Sequence, residues 1–186
     1  MQLEKFFADW PVDNVAGALV GKRDASFGDT GRVFELASVT KLLSAYAVLI
    51  AVEEGAFSLD DDARPEGATI RHLLAHAGGV SFDSREPQKA PGERRIYSSA
   101  GYEILADIVE ESTGISFADY AREGVFEPLG MESTEIYGSA GHGGRSTVSD
   151  LSAFAAELLS PQLLDPSTLD EAFSNQFGDL RGVVPG

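Results

Sequence analysis

From Val39 to Val52 the chain is apolar or small at nearly every position, broken in polarity only by Thr40, Lys41 and Ser44. A helix without a polar face has no stable place on a surface, so this run predicts a helix enclosed by protein and stopped by Gly55. It falls short of the ~20 residues that cross a bilayer. Its leading edge, Ser38-Val39-Thr40-Lys41, sets a hydroxyl and an amine three positions apart, on one helix face.

That spacing belongs to a serine nucleophile carrying its own base. A serine hydroxyl attacks poorly until a neighbour takes its proton, and a lysine serves once burial and a second cation favour its neutral form. A helix amino terminus also favours negative charge developing at the attacking oxygen or the bound carbonyl. In a chain with these serine and lysine counts the spacing arises by chance about 0.4 times. The competing reading is a helix-capping serine beside a lysine whose stem lies along apolar surface.

Composition narrows the classes. Thirty acidic against fourteen basic residues leave a formal charge of -16, which repels phosphate backbones and anionic membranes, so nucleic-acid and membrane partners are not expected. The chain has no cysteine, which excludes disulfides and thiolate chemistry. Met1 to Trp10 holds Glu4, Lys5 and Asp9 without a continuous apolar stretch, so the expectation is a cytoplasmic protein.

Along the chain, Val15–Val20, the turn Gly21-Lys22-Arg23-Asp24 and a second extended piece at Ala25-Ser26-Phe27 read as a hairpin. After the buried helix the pattern turns helical. Thr69–His76 reads as a short helix ended by Gly78-Gly79, and Tyr102, Leu105, Ala106 and Val109 form an apolar stripe in a helix ended by Gly114. Ser116 with Asp119, Thr147 with Asp150, and Asp165-Pro166 mark three further helix starts. The expected fold is α/β of the α+β kind: a small antiparallel sheet packed on the Ser38 helix in residues 1–58, and a mainly helical subdomain in 59–186, with the active cleft between them. No returning strands are expected in Arg181–Gly186. A two-stranded hairpin cannot cover so apolar a helix, so strands from a longer parent protein or from a second copy, as a homodimer, are expected to complete the sheet.

Tyr97-Ser98-Ser99 follows the loop Ala90-Pro91-Gly92-Glu93 and precedes the Tyr102 helix, a junction where a side chain can face a cleft. A phenol titrates near 10 in water, and beside cations it becomes a candidate base or proton donor. The competing reading is a packing tyrosine.

Phe34-Glu35-Leu36-Ala37-Ser38-Val39-Thr40-Lys41, Thr69-Ile70-Arg71-His72-Leu73-Leu74-Ala75-His76-Ala77-Gly78-Gly79, Pro91-Gly92 before Tyr97-Ser98-Ser99, and Phe126-Glu127-Pro128-Leu129-Gly130-Met131 occur in that order. Together they resemble the serine β-lactamase-related family: class C-like β-lactamases, penicillin-binding proteins, D-alanyl-D-alanine carboxypeptidases and serine esterases. The likeness runs from about Val15 and covers the first two thirds of such a protein. It implies catalytic Ser38, Lys41 as its base partner and Tyr97 as second base, with acylation of Ser38 by an amide, lactam or ester and release by water. The implied partner is a small-molecule substrate, and no cofactor is implied.

Two departures matter. The family places asparagine two positions after the tyrosine to orient substrate; Ser99 stands there, shorter and without an NH2 group, as the expected substrate-binding residue. The family's third motif, on a late strand, has no counterpart, and His142-Gly143-Gly144 reads as a flexible turn before a helix. Loss of one oxyanion donor costs about 10²- to 10³-fold, so the chain alone is expected to be weakly active or inactive. A non-catalytic remnant or binding module on the same scaffold is the alternative.

Other chemistries fit less well. His72 and His76 have helical i, i+4 spacing, but Leu73 and Leu74 fill the place of the glutamate a zinc helix needs. No G-x-S-x-G elbow occurs, and Gly138–Gly144 leads to Arg145-Ser146 rather than to a phosphate-binding Gly-Lys-Ser/Thr.

Overall fold

The computed structural model describes residues 3–7, 9–178 and 180–183. The elements run α1 (Glu4–Phe7), β1 (Ala16–Leu19), β2 (Ala25–Gly28), β3 (Val33–Glu35), α2 (Thr40–Glu53), α3 (Ile70–Leu74), β4 (Arg95–Ile96), α4 (Ala100–Thr113), α5 (Phe117–Ala121), β5 (Glu135–Ile136), β6 (Gly144–Thr147), α6 (Val148–Leu159), α7 (Pro166–Phe173) and β7 (Gly182–Val183). This is a mixed α/β fold with small antiparallel sheets. The expected hairpin is β1–β2, with Ala16 opposite Gly28. A three-stranded antiparallel sheet has the order β3-β6-β5, so it joins a strand from the first quarter of the chain to two that lie about a hundred residues later.

Two expectations about strands change. Gly144, read as part of a flexible turn, opens the central strand of that sheet, with Glu35 opposite Arg145. A Cβ on Gly144 would lie 2.8 Å from the Thr40 hydroxyl oxygen, so glycine lets the sheet meet the start of α2. The stretch expected to hold no strand contains β7, which pairs in parallel with β4, Arg95 opposite Gly182. Val184, Pro185 and Gly186 of that stretch lie outside the described residues.

Helix α2 buries Leu43, Ala47, Val48 and Ile50 in one core with Leu105 and Val109 of α4, Tyr120 of α5, and Val125 and Phe126 of the π-helical turn that follows. The fit reflects the sequence: a helix apolar all round needs partners on several sides. Enclosure is incomplete at Leu42, which stays 58% exposed. Gly55, with φ 77°, follows the end of α2 as expected.

The cap signals hold. Ser116, Thr147 and Asp165 each accept a backbone N–H of the first turn of α5, α6 and α7. Helix α3 is shorter than its sequence suggests. Thr69 and His72 close a capping box at its start, and its end is followed by His76 at φ 56°, a left-handed conformation usually left to glycine. Among the described residues, no helix is long and apolar enough to cross a membrane.

Candidate active site

Ser38 lies in a 3-10 turn, Ala37–Val39, immediately before α2 rather than inside it. The turn opens at Ala37, whose φ of 44° is unfavourable for a residue with a Cβ. Ser38 is solvent-exposed, whereas Lys41, one turn on, is only 4% exposed. The lysine amine therefore reaches the serine from the protein side.

Lys41 Nζ has three oxygen partners. It donates to Ser38 Oγ at 3.2 Å, to Ser99 Oγ at 3.0 Å and to the Gly141 carbonyl at 2.6 Å. Tyr97, half-buried at the junction of β4 and α4, turns its ring face to the amine, with Nζ 4.6 Å from the ring centroid. Tyr102 presents a second ring at 5.8 Å. Both contacts have cation–π geometry. The four residues singled out in the sequence thus meet at one amine. Among the described residues, the Tyr97 hydroxyl makes no hydrogen bond to Ser38 or Lys41; its ring makes the contact.

The glycine-rich stretch, read as loose, supplies the closest of those partners. Ser44 Oγ of α2 donates to the Ala140 carbonyl at 2.7 Å, and Ser139 Oγ donates to Glu103 of α4 at 2.6 Å. The turn between them closes through Gly143 N–H to the Ser139 carbonyl at 2.6 Å. A Cβ on Gly141 would come 2.8 Å from the Ser99 carbonyl oxygen, and one on Gly143 2.5 Å from the Ser139 nitrogen. Glycine at both places allows the backbone approach that brings the Gly141 carbonyl to Lys41.

His76 also meets these residues, although its i, i+4 spacing with His72 suggested no more than a structural histidine near a helix end. Its Nδ1 accepts the Ser98 N–H at 3.2 Å, while His72 Nδ1 accepts the Thr69 N–H at 3.2 Å, so the two rings serve separate backbone sites. Burial, then the charges of Lys41 and Arg95, lower the His76 pKa to about 4. Tyr102 is pushed well above the ordinary phenol value, chiefly by burial and then by Tyr97. Ser98 Oγ donates to the Ser81 carbonyl at 2.6 Å and accepts the Gly101 N–H at 2.8 Å, locking the tyrosine junction onto α4.

A largely apolar cleft of about 540 Å³ runs between α2, α3, α6 and α7; His76, Arg95 and Tyr102 line it, but Ser38, Lys41 and Ser99 do not.

The Beta-lactamase family model matches residues 15–183. A β-lactamase from Mycobacterium bovis is similar, at 45% identity and a TM-score of 0.95 over 98% of this chain and 69% of that one. Penicillin-binding protein 4* of Bacillus subtilis is 30% identical over 141 residues, 58% of this chain and 31% of that protein. Penicillin-binding protein 4 of Amycolatopsis lactamdurans is 29% identical over 161 residues, 69% of this chain and 42% of that protein. The chain spans less than half the length of these curated relatives. With the family model spanning most of its length and the fold agreeing, the chain belongs to the β-lactamase family.

Proposed function

We propose that this chain is a serine hydrolase that forms an acyl-enzyme on Ser38. The observation that carries the reading is the buried Lys41 amine, within hydrogen-bond reach of Ser38 Oγ and held by Ser99 and Gly141.

Three oxygen partners suit both proton states of a catalytic amine. An ammonium gives each of them a hydrogen. A free amine gives two, to Ser99 and Gly141, and turns its lone pair to Ser38, whose hydroxyl then donates. In the proposed reaction Ser38 Oγ attacks the carbonyl carbon of an amide, lactam or ester, and its proton passes to Lys41 Nζ. The tetrahedral intermediate collapses as the bond to nitrogen or alkoxide oxygen breaks, and that leaving group takes a proton from Lys41 or Tyr97. Water then attacks the Ser38 ester, returning its proton to the serine oxygen and releasing the acid. Ser99, buried and bonded to the amine, acts in this reading by holding Lys41 as well as by facing substrate. The names of the relatives favour lactams and peptide-like amides as substrates.

A fluorophosphonate or a penicillin probe tests the reading, with the adduct located by mass spectrometry. The expected result is a single adduct on Ser38. A folded sample that carries none favours a binding module that retains the scaffold without the chemistry.

A further inference from the structure

We propose that His76 is a positioning residue for Tyr97, gripping the backbone on both sides of that tyrosine while its imidazole lies tilted against the phenol ring. The proposal rests on the reading that Tyr97 takes part in acylation of Ser38.

Three contacts converge on the one residue. The His76 carbonyl accepts the Ile96 N–H at 2.8 Å, and its ring Nδ1 accepts the Ser98 N–H at 3.2 Å. Between those two anchors, the imidazole lies 4.6 Å from the Tyr97 ring, centroid to centroid. Its other neighbour is the Tyr102 ring at 5.4 Å, so the imidazole wedges between the two tyrosines whose faces meet Lys41. The residue that makes both contacts holds φ 56°, in the left-handed region that residues with a Cβ seldom adopt. A strained backbone retained beside reactive groups marks a position whose geometry is used.

The ring is also suited electrically. The charged and titratable groups facing it are Lys41 from α2, Arg95 from β4, Tyr97 from the junction and Tyr102 from α4. Because Nδ1 accepts, the ring proton resides on Nε2 and the imidazole is neutral, adding no third cation beside Lys41 and Arg95. With a pKa lowered to about 4, chiefly by burial, it stays neutral at ordinary pH.

A double-mutant cycle tests the coupling, read as the second-order rate of Ser38 labelling by a fluorophosphonate. Tyr97→Phe is expected to slow labelling about 10- to 100-fold. His76→Ala is expected to cost about 10-fold when Tyr97 is present and less than about 2-fold in the Tyr97→Phe background. His76→Asn, which tolerates left-handed backbone and offers an oxygen to the Ser98 N–H, is expected to recover most of the rate. Equal losses in both backgrounds, or asparagine no better than alanine, overturn the proposal. Wild-type labelling in Tyr97→Phe instead overturns the role of Tyr97, and an unlabelled folded wild type overturns the hydrolase reading; the three failures leave different patterns. Should His76→Ala not fold, nitrogen NMR of the wild type decides: a bare Nδ1 from pH 8 to 5 supports the grip, and a protonated Nδ1 refutes it.

Discussion

Lys41 Nζ lies 2.6 Å from the carbonyl oxygen of Gly141, closer than the 3.2 Å to Ser38 Oγ one helical turn away. The amine that the sequence pairs with a neighbouring serine is held most tightly by a loop one hundred residues further on. Its position therefore depends on how the Ser139–Gly143 turn docks between α2 and α4.

Replacing the amine tests its part in proton transfer. Lys41→Met keeps the length and apolar stem of the side chain and removes the group facing Ser38. Labelling of Ser38 by a fluorophosphonate is expected to slow about 10²- to 10⁴-fold. A variant that folds, by circular dichroism, and labels within twofold of the wild type would show that Lys41 is only a packing residue.

Gly141→Ala tests the tether. The added methyl would stand 2.9 Å from both Cα and Cβ of Ser99, so the loop must withdraw and take its carbonyl from Lys41. The expected outcome is at least a 10-fold slower acylation, with a melting temperature lowered by an amount in keeping with an overpacking penalty of about 1–3 kcal/mol. Unchanged acylation and unchanged melting together would mean that the close approach of Gly141 to Ser99 does not hold in solution.

A buried carboxylate, Glu157, fastens the helices behind the site. Glu157 Oε1 accepts from the Tyr46 hydroxyl at 2.6 Å, from Gln162 N–H at 2.7 Å and from Leu163 N–H at 2.8 Å. Burial and the bond to Glu157 push the Tyr46 hydroxyl well above the usual phenol range, so it remains a donor. Glu157→Ala strands the buried Tyr46 hydroxyl and two part-buried backbone N–H groups and is expected to cost about 3 kcal/mol, a fall of roughly 6–12 °C in Tm. Glu157→Gln keeps the acceptor oxygen and should lose less than half as much. A thermal melt in which alanine matches the wild type within a degree would refute the assignment.

His76 gives the fold a pH dependence of definite sign. Its folded pKa of about 4 stands below the value near 6.5 expected in the unfolded chain. Between those values the unfolded state binds a proton that the native state refuses, so stability is full above about pH 6.5 and falls as the pH drops toward 4. The loss amounts to about 3 kcal/mol and stops growing below pH 4. Urea unfolding at pH 7, 5.5 and 4.5 should show a steeper decline in the wild type than in His76→Asn, since titrating carboxylates are common to both. Parallel declines would place the His76 ring in solvent.

Features carried by neighbours in the chain were legible without coordinates. The hairpin, the helix caps at Ser116, Thr147 and Asp165, and the Ser38–Lys41 spacing all depend on residues within a few positions of each other. The resemblance of the ordered motifs pointed to the β-lactamase fold for the same reason: each motif is a local string. The resemblance placed Tyr97 beside Ser38 and Lys41, whereas the hydrogen bond from Lys41 to Ser99 could not be read from the motif.

What the tertiary structure alone decided is the surroundings of that amine. Gly138–Gly144 has the composition of a loose turn, and only packing against Ser44 and Ser99 makes it an anchored loop that opens β6. Glu157 falls within the helical pattern of α6 and gains its role from Tyr46, 111 residues earlier. His76 offered the sequence only an i, i+4 spacing without the glutamate of a metal site; its ring contact with the Tyr97 junction is made by the fold. Helix and turn preferences act over a few residues, whereas hydrogen bonds and close backbone approach act across space; one-dimensional pattern records the first kind and is silent on the second.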